Sequence, residues 1–477
     1  MSLRNNLFFL LILAAAPGCK KYLTLPLPAN EIAGSASFAN NVSAAAMVND
    51  IYITLDGSPL QGAGSIPYNT GLYTDELTNA AASASSGGNL AFYTDALTAT
   101  NGAAITAWTS LYEAIYGCNL AIEGLTPSSL TMRNQLLGEV YFLRAFSNFY
   151  LTNLYGTVPL QLTSDYNTNN QLARSTQAEV YTQIVADLKQ AQALLTDDYL
   201  DLNGNVTTDR GRPNKMAATA LLARAYLYTS DWPDAEAQAD SLIGATATYQ
   251  LTTLAGTFLT GSPETIWGLA PRGASYDVAD AGTYFIAQGT TPMASNVNCY
   301  LSNGLVNAFE PGDARFTNWI GVSNVPASGS QPAANYYYAF KYKVRTGQSA
   351  PAEYLSELRL GELYLIRAEA RAEQNNVTGA TGAAADLNMV RARAGLASTA
   401  ATTQPTMLTA ILHERQVELF AEGGHRLLDL RRTGNLNTVM NTVAPAKNTT
   451  WSSYAQWWPI ANSDITIDPN LVQTPGY

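Results

Sequence analysis

The sequence predicts a mainly α-helical fold in which tetratricopeptide-like helix pairs form a scaffold and a loop-rich, irregular region is inserted. Three observations carry that prediction. Apolar residues recur at three- and four-residue intervals, as at Trp108, Leu111, Tyr112, Ile115 and Tyr116, over most of the chain before Ser241 and again after Tyr354. The string GEVYFLRAF, beginning at Gly138, returns as GELYLIRAEA at Gly361. Between them, from Ala245 to about Ala352, the chain turns to Gly, Ser, Thr, Pro, Asn and Tyr, the residues of turns and short strands.

Taken in order, the chain begins as an export signal. Arg4 supplies a positive region, Leu7 to Ala16 form a short apolar run, and Ala16-Pro17-Gly18-Cys19 follows. The run is too short for a permanent membrane span, and a Cys at its end has the form of a bacterial lipobox. Residues 1–18 are therefore expected to be removed, Cys19 to carry lipid, and residues 19–36 to form a tether rich in Pro, Ala and Leu. No later stretch is long and apolar enough to cross a bilayer, so lipid would be the anchor.

A single domain is expected over residues 37–477. Helical periodicity covers 42–55, 105–125, 133–155, 177–195, 213–230 and 233–243, with Ser175-Thr176 able to cap the fourth of these and Glu179 in its first turn. The inserted, ligand-side region spans about 245–352 and holds a β-like piece from Tyr336 to Val344. Helices resume at 354–374, 379–394 and 407–422, and residues 436–477 read as irregular.

The repeated string is a helix-packing face by its spacing. Gly138, Tyr141, Phe142, Ala145 and Phe149 fall on one stripe, as do Gly361, Tyr364, Leu365, Ala368 and Ala372. Small residues let a second helix approach while large neighbours fill the groove. A third copy, LLARAYLYTSDWPDAEAQADSLI, adds its partner helix at once, turning at Trp232-Pro233-Asp234 and lining the inner face with Ala235, Ala239 and Ile243. The recurring Arg144, Arg224 and Arg367 are expected to lay their stems on apolar neighbours and pair with carboxylates.

Charge and motif content narrow the function. With 37 acidic and 26 basic side chains the net charge is −11, which repels a phosphate backbone and excludes nucleic acid as a natural partner. His413 and His425 have no metal-ligand spacing, no phosphate-cradling loop occurs, and the turn holding Asp201, Asn203, Asn205 and Asp209 departs from a calcium loop. No metal, cofactor or catalytic residue is assigned. Cys118 and Cys299 could pair in an oxidising compartment, with two buried free thiols the favoured expectation for a long chain with this core. A glycosidase needs two placed carboxylates, which sequence cannot choose.

Sugar binding asks for aromatic faces ringed by carboxamides and carboxylates. Two non-repeat stretches offer that mix: Tyr68, Tyr73, Asp75, Asn79 and Tyr93 in the first, and Tyr284, Asn298, Tyr300 and Trp319 in the second. Tyr276, Asn296 and Tyr336 to Tyr338 belong to the same cluster.

The lipobox-like Cys19 is followed in order by GEVYFLRAFSNFYLTNLYGTVPL, GRPNKMAATALLARAYLYTSDW, AFEPGDARF, RLGELYLIRAEARAE, AAADLNMVRARAGL, ILHERQVELFAEGGHRLLDLRR and WPIANSDITIDPNLVQTPGY. This series resembles the SusD/RagB family of Bacteroidetes outer-membrane lipoproteins across the mature chain. The resemblance implies a SusD-like α-α superhelix and a lipid anchor in the outer membrane facing the exterior. It also implies a SusC-like TonB-dependent β-barrel as partner. The protein would act as a lid delivering oligosaccharide, or peptide in RagB-like members, without catalysis. Ligand residues of the family lie in variable loops, so the candidates above rest on composition. A helical protein-interaction scaffold and an anchored glycosidase are the competing readings.

Overall fold

The computed structural model describes residues 37–57, 59–80, 89–271, 277–345 and 352–477. The expected signal, Cys19, the tether and Tyr276 lie outside the described residues.

The scaffold begins with α1 (Asn41–Asp56), capped by the Asn40 side chain accepting from the Ser43 N–H. Next come α2 (Ile66–Tyr73), α3 (Asn89–Tyr93), α4 (Gly102–Leu125), α5 (Arg133–Tyr155), α6 (Gln177–Leu194), α7 (Lys215–Tyr228) and α8 (Trp232–Gly244). After the inserted region follow α9 (Leu360–Glu373), α10 (Ala383–Arg393), α11 (Gln404–Glu418), α12 (His425–Arg432) and α13 (Leu436–Val443). The cap expected from Ser175-Thr176 falls to Thr176, which forms a reciprocal capping box with Glu179 at the start of α6. Gly156 ends α5 at φ 78°, a backbone that favours glycine.

Each long helix packs on the next: α1 on α4, α4 on α5, α5 on α6, α6 on α7, α7 on α8, and α8 on α9 across the whole insertion. This is a helical superhelix, and α10 and α11 complete it against α9. The recurring arginines tie successive members together. Arg144 of α5 pairs with Asp187 of α6 at 2.6 Å, Arg224 of α7 with Glu362 of α9 at 2.6 Å, and Arg367 of α9 with Asp386 of α10 at 2.5 Å.

The two repeated glycines do different work. A Cβ on Gly138 would stand 2.6 Å from Leu195 Cγ, so this glycine admits the end of α6, as the stripe predicts. A Cβ on Gly361 would meet Arg359 Nη1 at 2.6 Å and Glu264 Oε1 at 3.0 Å. There the missing side chain leaves room for buried charge instead of a neighbouring helix. Further along that copy, Leu365, Ala368 and Ala372 pack with Leu387, Val390, Met407 and Ile411 in a small core of their own.

The inserted region is built from antiparallel strand pairs: β1 (Leu77–Asn79) with β3 (Cys299–Leu301), β2 (Thr265–Leu269) with β6 (Leu355–Arg359), and β4 (Ile320–Val325) with β5 (Ala334–Ala339). Trp267 of β2 roots it in the scaffold by meeting Phe142 and Phe146 of α5 edge-on at 4.9 and 5.2 Å. A buried ionic cluster adds a second root. Arg359 reaches Glu418 at 2.6 Å and Glu422 at 2.7 Å, Glu264 takes Arg393 at 2.6 Å, and Arg315 joins Asp313, Glu414 and Glu418.

Two readings of local structure change. The stretch containing Tyr68 and Tyr73 is the helix α2, started by Ser65 and Pro67 and buried along its length, so it shows no polar face that periodicity could detect. The segment 436–477 is not wholly irregular: α13 and a helical turn at Asn462–Ile467 pack there, too short to stand out from sequence. Among the described residues, no helix is long and apolar enough to cross a membrane.

Candidate functional site

The strand pair β1–β3 places Thr78 opposite Tyr300 and Asn79 opposite Cys299, and the Ala80 N–H donates to Asn298 O at 2.8 Å. Alternation along β3 buries Cys299 and Leu301 and turns Tyr300 the other way, where it stays half-buried. Its ring meets Tyr336 of β5 edge-on at 5.2 Å. Tyr93, the last residue of α3, is also half-buried and lies close enough to Tyr300 to feel its hydroxyl. Asn79 and Asn298 remain partly exposed on the same strand pair. The result is a surface of three tyrosine faces, Tyr93, Tyr300 and Tyr336, accompanied by the Asn298 carboxamide, while Asn79, paired with Cys299, falls on the other face of the strand pair, a correction to the composition-based set.

Burial raises the hydroxyl pKa of Tyr93 and Tyr300, with their tyrosine neighbours adding to it, so both remain neutral donors around pH 7. Asp75, just after α2, is held by Arg426, whose Nε and Nη2 donate at 2.8 and 2.6 Å. It braces the approach to β1 and is already occupied by a cation. Burial, then the neighbouring Asp75, pushes Glu76 up to about 8.

The remaining candidates are core residues, a correction to the composition-based set. Tyr68 packs on Tyr284 at 6.0 Å, and both are buried. Tyr73 sits among Phe92, Trp451 and Trp458 with its hydroxyl on Ala455 O at 2.5 Å. Trp319 is fully buried, its indole N–H donating to Leu254 O at 2.8 Å. Aromatic composition marks these positions equally with the exposed ones, because a large ring fills core or presents a face by the same chemistry. Tyr336 joins the surface through a hairpin register that sequence does not display.

A cleft of about 650 Å³ lies elsewhere, between α1 and the loop from Leu200 to Arg212. Its aromatic residue, Tyr52, is covered by the Arg212 guanidinium at 5.3 Å, so it offers no open ring to a sugar. At the turn beside it, Asp201 accepts the N–H groups of Asn203 and Asn205 at 2.8 Å, a self-contained polar turn. Among the described residues, Glu310, His413 and Glu414 come within metal-ligand distance of one another. Arg391 already forks onto Glu310 at 2.6 and 3.0 Å, Arg315 pairs with Glu414 at 2.6 Å, and a His413 ring nitrogen bonds Ala308 O, so both carboxylates are paired with cations and the imidazole is held by a backbone carbonyl. Cys118 and Cys299 are buried free thiols.

Comparison with known proteins gives two family matches: "Starch-binding associating with outer membrane" over residues 30–227 and "SusD family" over residues 160–477. The chain is 24% identical to SusD-like protein P38 of Formosa agariphila, covering 78% of this chain and 79% of that protein. A shorter stretch of 155 residues is 30% identical to SusD-like protein P2 of the same organism and covers 29% of it. Among solved structures, a laminarin-binding SusD-like protein superposes with a TM-score of 0.75 at 23% identity, over 92% of this chain and 100% of that one. A SusD-like protein from Bacteroides fragilis does so with a TM-score of 0.75 at 22% identity, over 95% and 100%.

Proposed function

Since the chain belongs to the SusD family of carbohydrate-binding, outer-membrane-associated proteins, we propose that it captures an oligosaccharide and hands it to a SusC-like TonB-dependent β-barrel, acting as a lid without catalysis. The observation that carries this reading is the half-exposed surface of Tyr93, Tyr300 and Tyr336 beside Asn298. Tyrosine faces stack on the apolar side of a sugar ring, and a carboxamide donates to and accepts from its hydroxyls. The named relative that binds laminarin, a neutral glucan, makes that class the first to try. In this reading the lipid on Cys19 tethers the protein to the outer membrane, with the scaffold facing the exterior.

The test is calorimetric titration of the purified protein with neutral oligosaccharides, starting from laminarihexaose, and with short peptides. Binding of a glycan that Tyr300→Ala weakens about tenfold, equivalent to about 1.4 kcal/mol, supports the reading. A response to peptides alone would replace it with a RagB-like role. Release of reducing sugar would overturn the non-catalytic part. Extraction in mild detergent should bring down a large β-barrel with the wild-type lipoprotein, and Cys19→Ala should leave the membrane fraction.

A further inference from the structure

Lys447 is a buried cation that the ligand surface does not obviously need. It comes from the turn Ala444–Lys447, far along the chain, yet its ammonium donates to Leu72 O at 2.8 Å and Tyr73 O at 3.2 Å. Those carbonyls close the C-terminal end of α2, where the helix dipole favours positive charge. Two of the three ammonium N–H groups are thereby satisfied. The ammonium also stands 5.1 Å from the centroid of the Tyr93 ring, within cation–π reach. Two residues on, the Thr449 hydroxyl donates to Thr94 O at 2.5 Å, so this C-terminal turn grips α3 twice.

The gripped segment is short and is rooted in the core through Phe92, which is buried against Tyr73 and Trp458, while Tyr93 stays half-buried at its end. It is a five-residue helix, below the length at which a helix holds itself, and it ends through Asp95 at φ 54°, where glycine is the usual residue. The Ala96 N–H closes back on Ala91 O at 2.9 Å. Both carboxylate oxygens of Asp95 are buried with no hydrogen-bond partner, and the charges facing Lys447 are Asp95 and Asp75, the latter engaged by Arg426.

We propose that Lys447 is a positioning residue of the ligand surface: its charge beside the Tyr93 ring holds α3 in place, and ligand affinity follows the protonation of Lys447. This rests on reading Tyr93, Tyr300 and Tyr336 as the ligand site. Burial lowers Lys447 from its ordinary value of 10.5 to about 8, with Asp95 and then Asp75 opposing the shift, while burial raises Asp95 to about 7. Below pH 8 the ammonium is charged and the ring is held; above it the charge is lost and Tyr93 is released. Stability runs the opposite way. An unfolded Lys447 keeps its proton to about pH 10.5, so between there and pH 8 the unfolded state binds more protons and this residue's contribution to stability rises with pH. A lysine serving packing alone would not separate the two trends.

The experiment compares wild type, Lys447→Met and Lys447→Arg by hydrogen–deuterium exchange of residues 89–97 and by laminarihexaose titration, at about pH 7 and about pH 9. Lys447→Met is expected to speed exchange in that segment about tenfold while α4 and α5 stay protected, and to weaken laminarihexaose about tenfold at pH 7 with no further loss at pH 9. Wild type should approach the variant at pH 9, and Lys447→Arg should hold both protection and affinity there. Unchanged exchange in Lys447→Met, or the same fall in affinity with pH in wild type and variant, overturns the proposal. If Lys447→Met does not fold, wild type losing protection of residues 89–97 at pH 9 while Lys447→Arg keeps it decides in favour, and equal behaviour decides against. If wild type ignores laminarihexaose and the other neutral oligosaccharides of that titration while exchange still depends on Lys447, the oligosaccharide reading falls and the positioning of Tyr93 stands.

Discussion

Arg224 on α7 forks onto Glu362 on α9, its Nε and Nη2 donating to the two carboxylate oxygens at 2.8 and 2.6 Å. The third copy of the repeated string thus supplies the arginine and the second copy the glutamate, across the whole inserted region. Both side chains are almost fully buried, and a third donor of Arg224 is shared with Glu357 O at 3.0 Å. Removing one partner leaves an uncompensated charge in the core, whereas removing both leaves only altered packing. Arg224→Met and Glu362→Leu alone should each cost about 3–5 kcal/mol in urea unfolding, and the double variant less than their sum. Costs that simply add would mean that the two side chains are not coupled.

The repeated glycines separate packing from charge in a second way. At Gly138 a methyl group meets the flexible Leu195 side chain, which can shift, so Gly138→Ala should cost about 1–2 kcal/mol. At Gly361 the methyl group meets Arg359 Nη1 inside a network that also holds Glu264 and Glu418. Gly361→Ala should therefore cost more, about 2–4 kcal/mol, and broaden the unfolding transition of the strand pair β2–β6. Equal thermal shifts for the two variants would sink the distinction.

How much of this was readable from sequence follows from where each feature's physics lies. Helices α4, α6 and α8 announce themselves because one face is polar and the other apolar, whereas α5 and α7, buried on nearly all sides, are read from their length and the repeated string, and a cap at Ser175-Thr176 marks the start that Thr176 supplies. Helix α2 is hidden because burial on all sides erases the period. Tyr300 and Trp319 carry the same aromatic signal, yet strand alternation exposes one and the core encloses the other. Lys447 is illegible because its meaning depends on Tyr93, Leu72 and Tyr73, none of them near it in the chain.

Glu357 on β6 should titrate inside the core. Burial raises its carboxyl to about 8; Arg224 pulls it down, while Asp280 and Glu422 push it up. Its folded value lies above the unfolded one, so its favourable contribution is complete below about pH 4.5 and is lost as pH climbs to 8. Glu357→Gln removes that loss. Relative to wild type, the variant should gain about 1.4 kcal/mol in stability for each pH unit across this window, read from urea curves at stepped pH. A difference between the two proteins that stays flat from pH 5 to 8 would show that Glu357 ionises normally.

The sharpest separation is between Trp319 and Tyr300, which sequence placed in one cluster. Trp319 is fully buried, bonded to Leu254 O and flanked by Lys341 at 4.9 Å and Phe258 at 5.6 Å, so Trp319→Ala opens a cavity beneath the buried charges. A loss of about 3–5 kcal/mol is expected, with laminarihexaose affinity intact wherever the variant remains folded. Tyr300 keeps one side toward solvent, so Tyr300→Ala should lower stability by about 1 kcal/mol and affinity about tenfold. Thermal melting and calorimetry on the same preparations read both quantities. If Trp319→Ala abolishes binding at a temperature where it is folded, or if Tyr300→Ala binds as wild type does, the ligand surface does not lie on the β1–β3 strand pair and must be sought among the other clefts, beginning with that between α1 and the 200–212 loop.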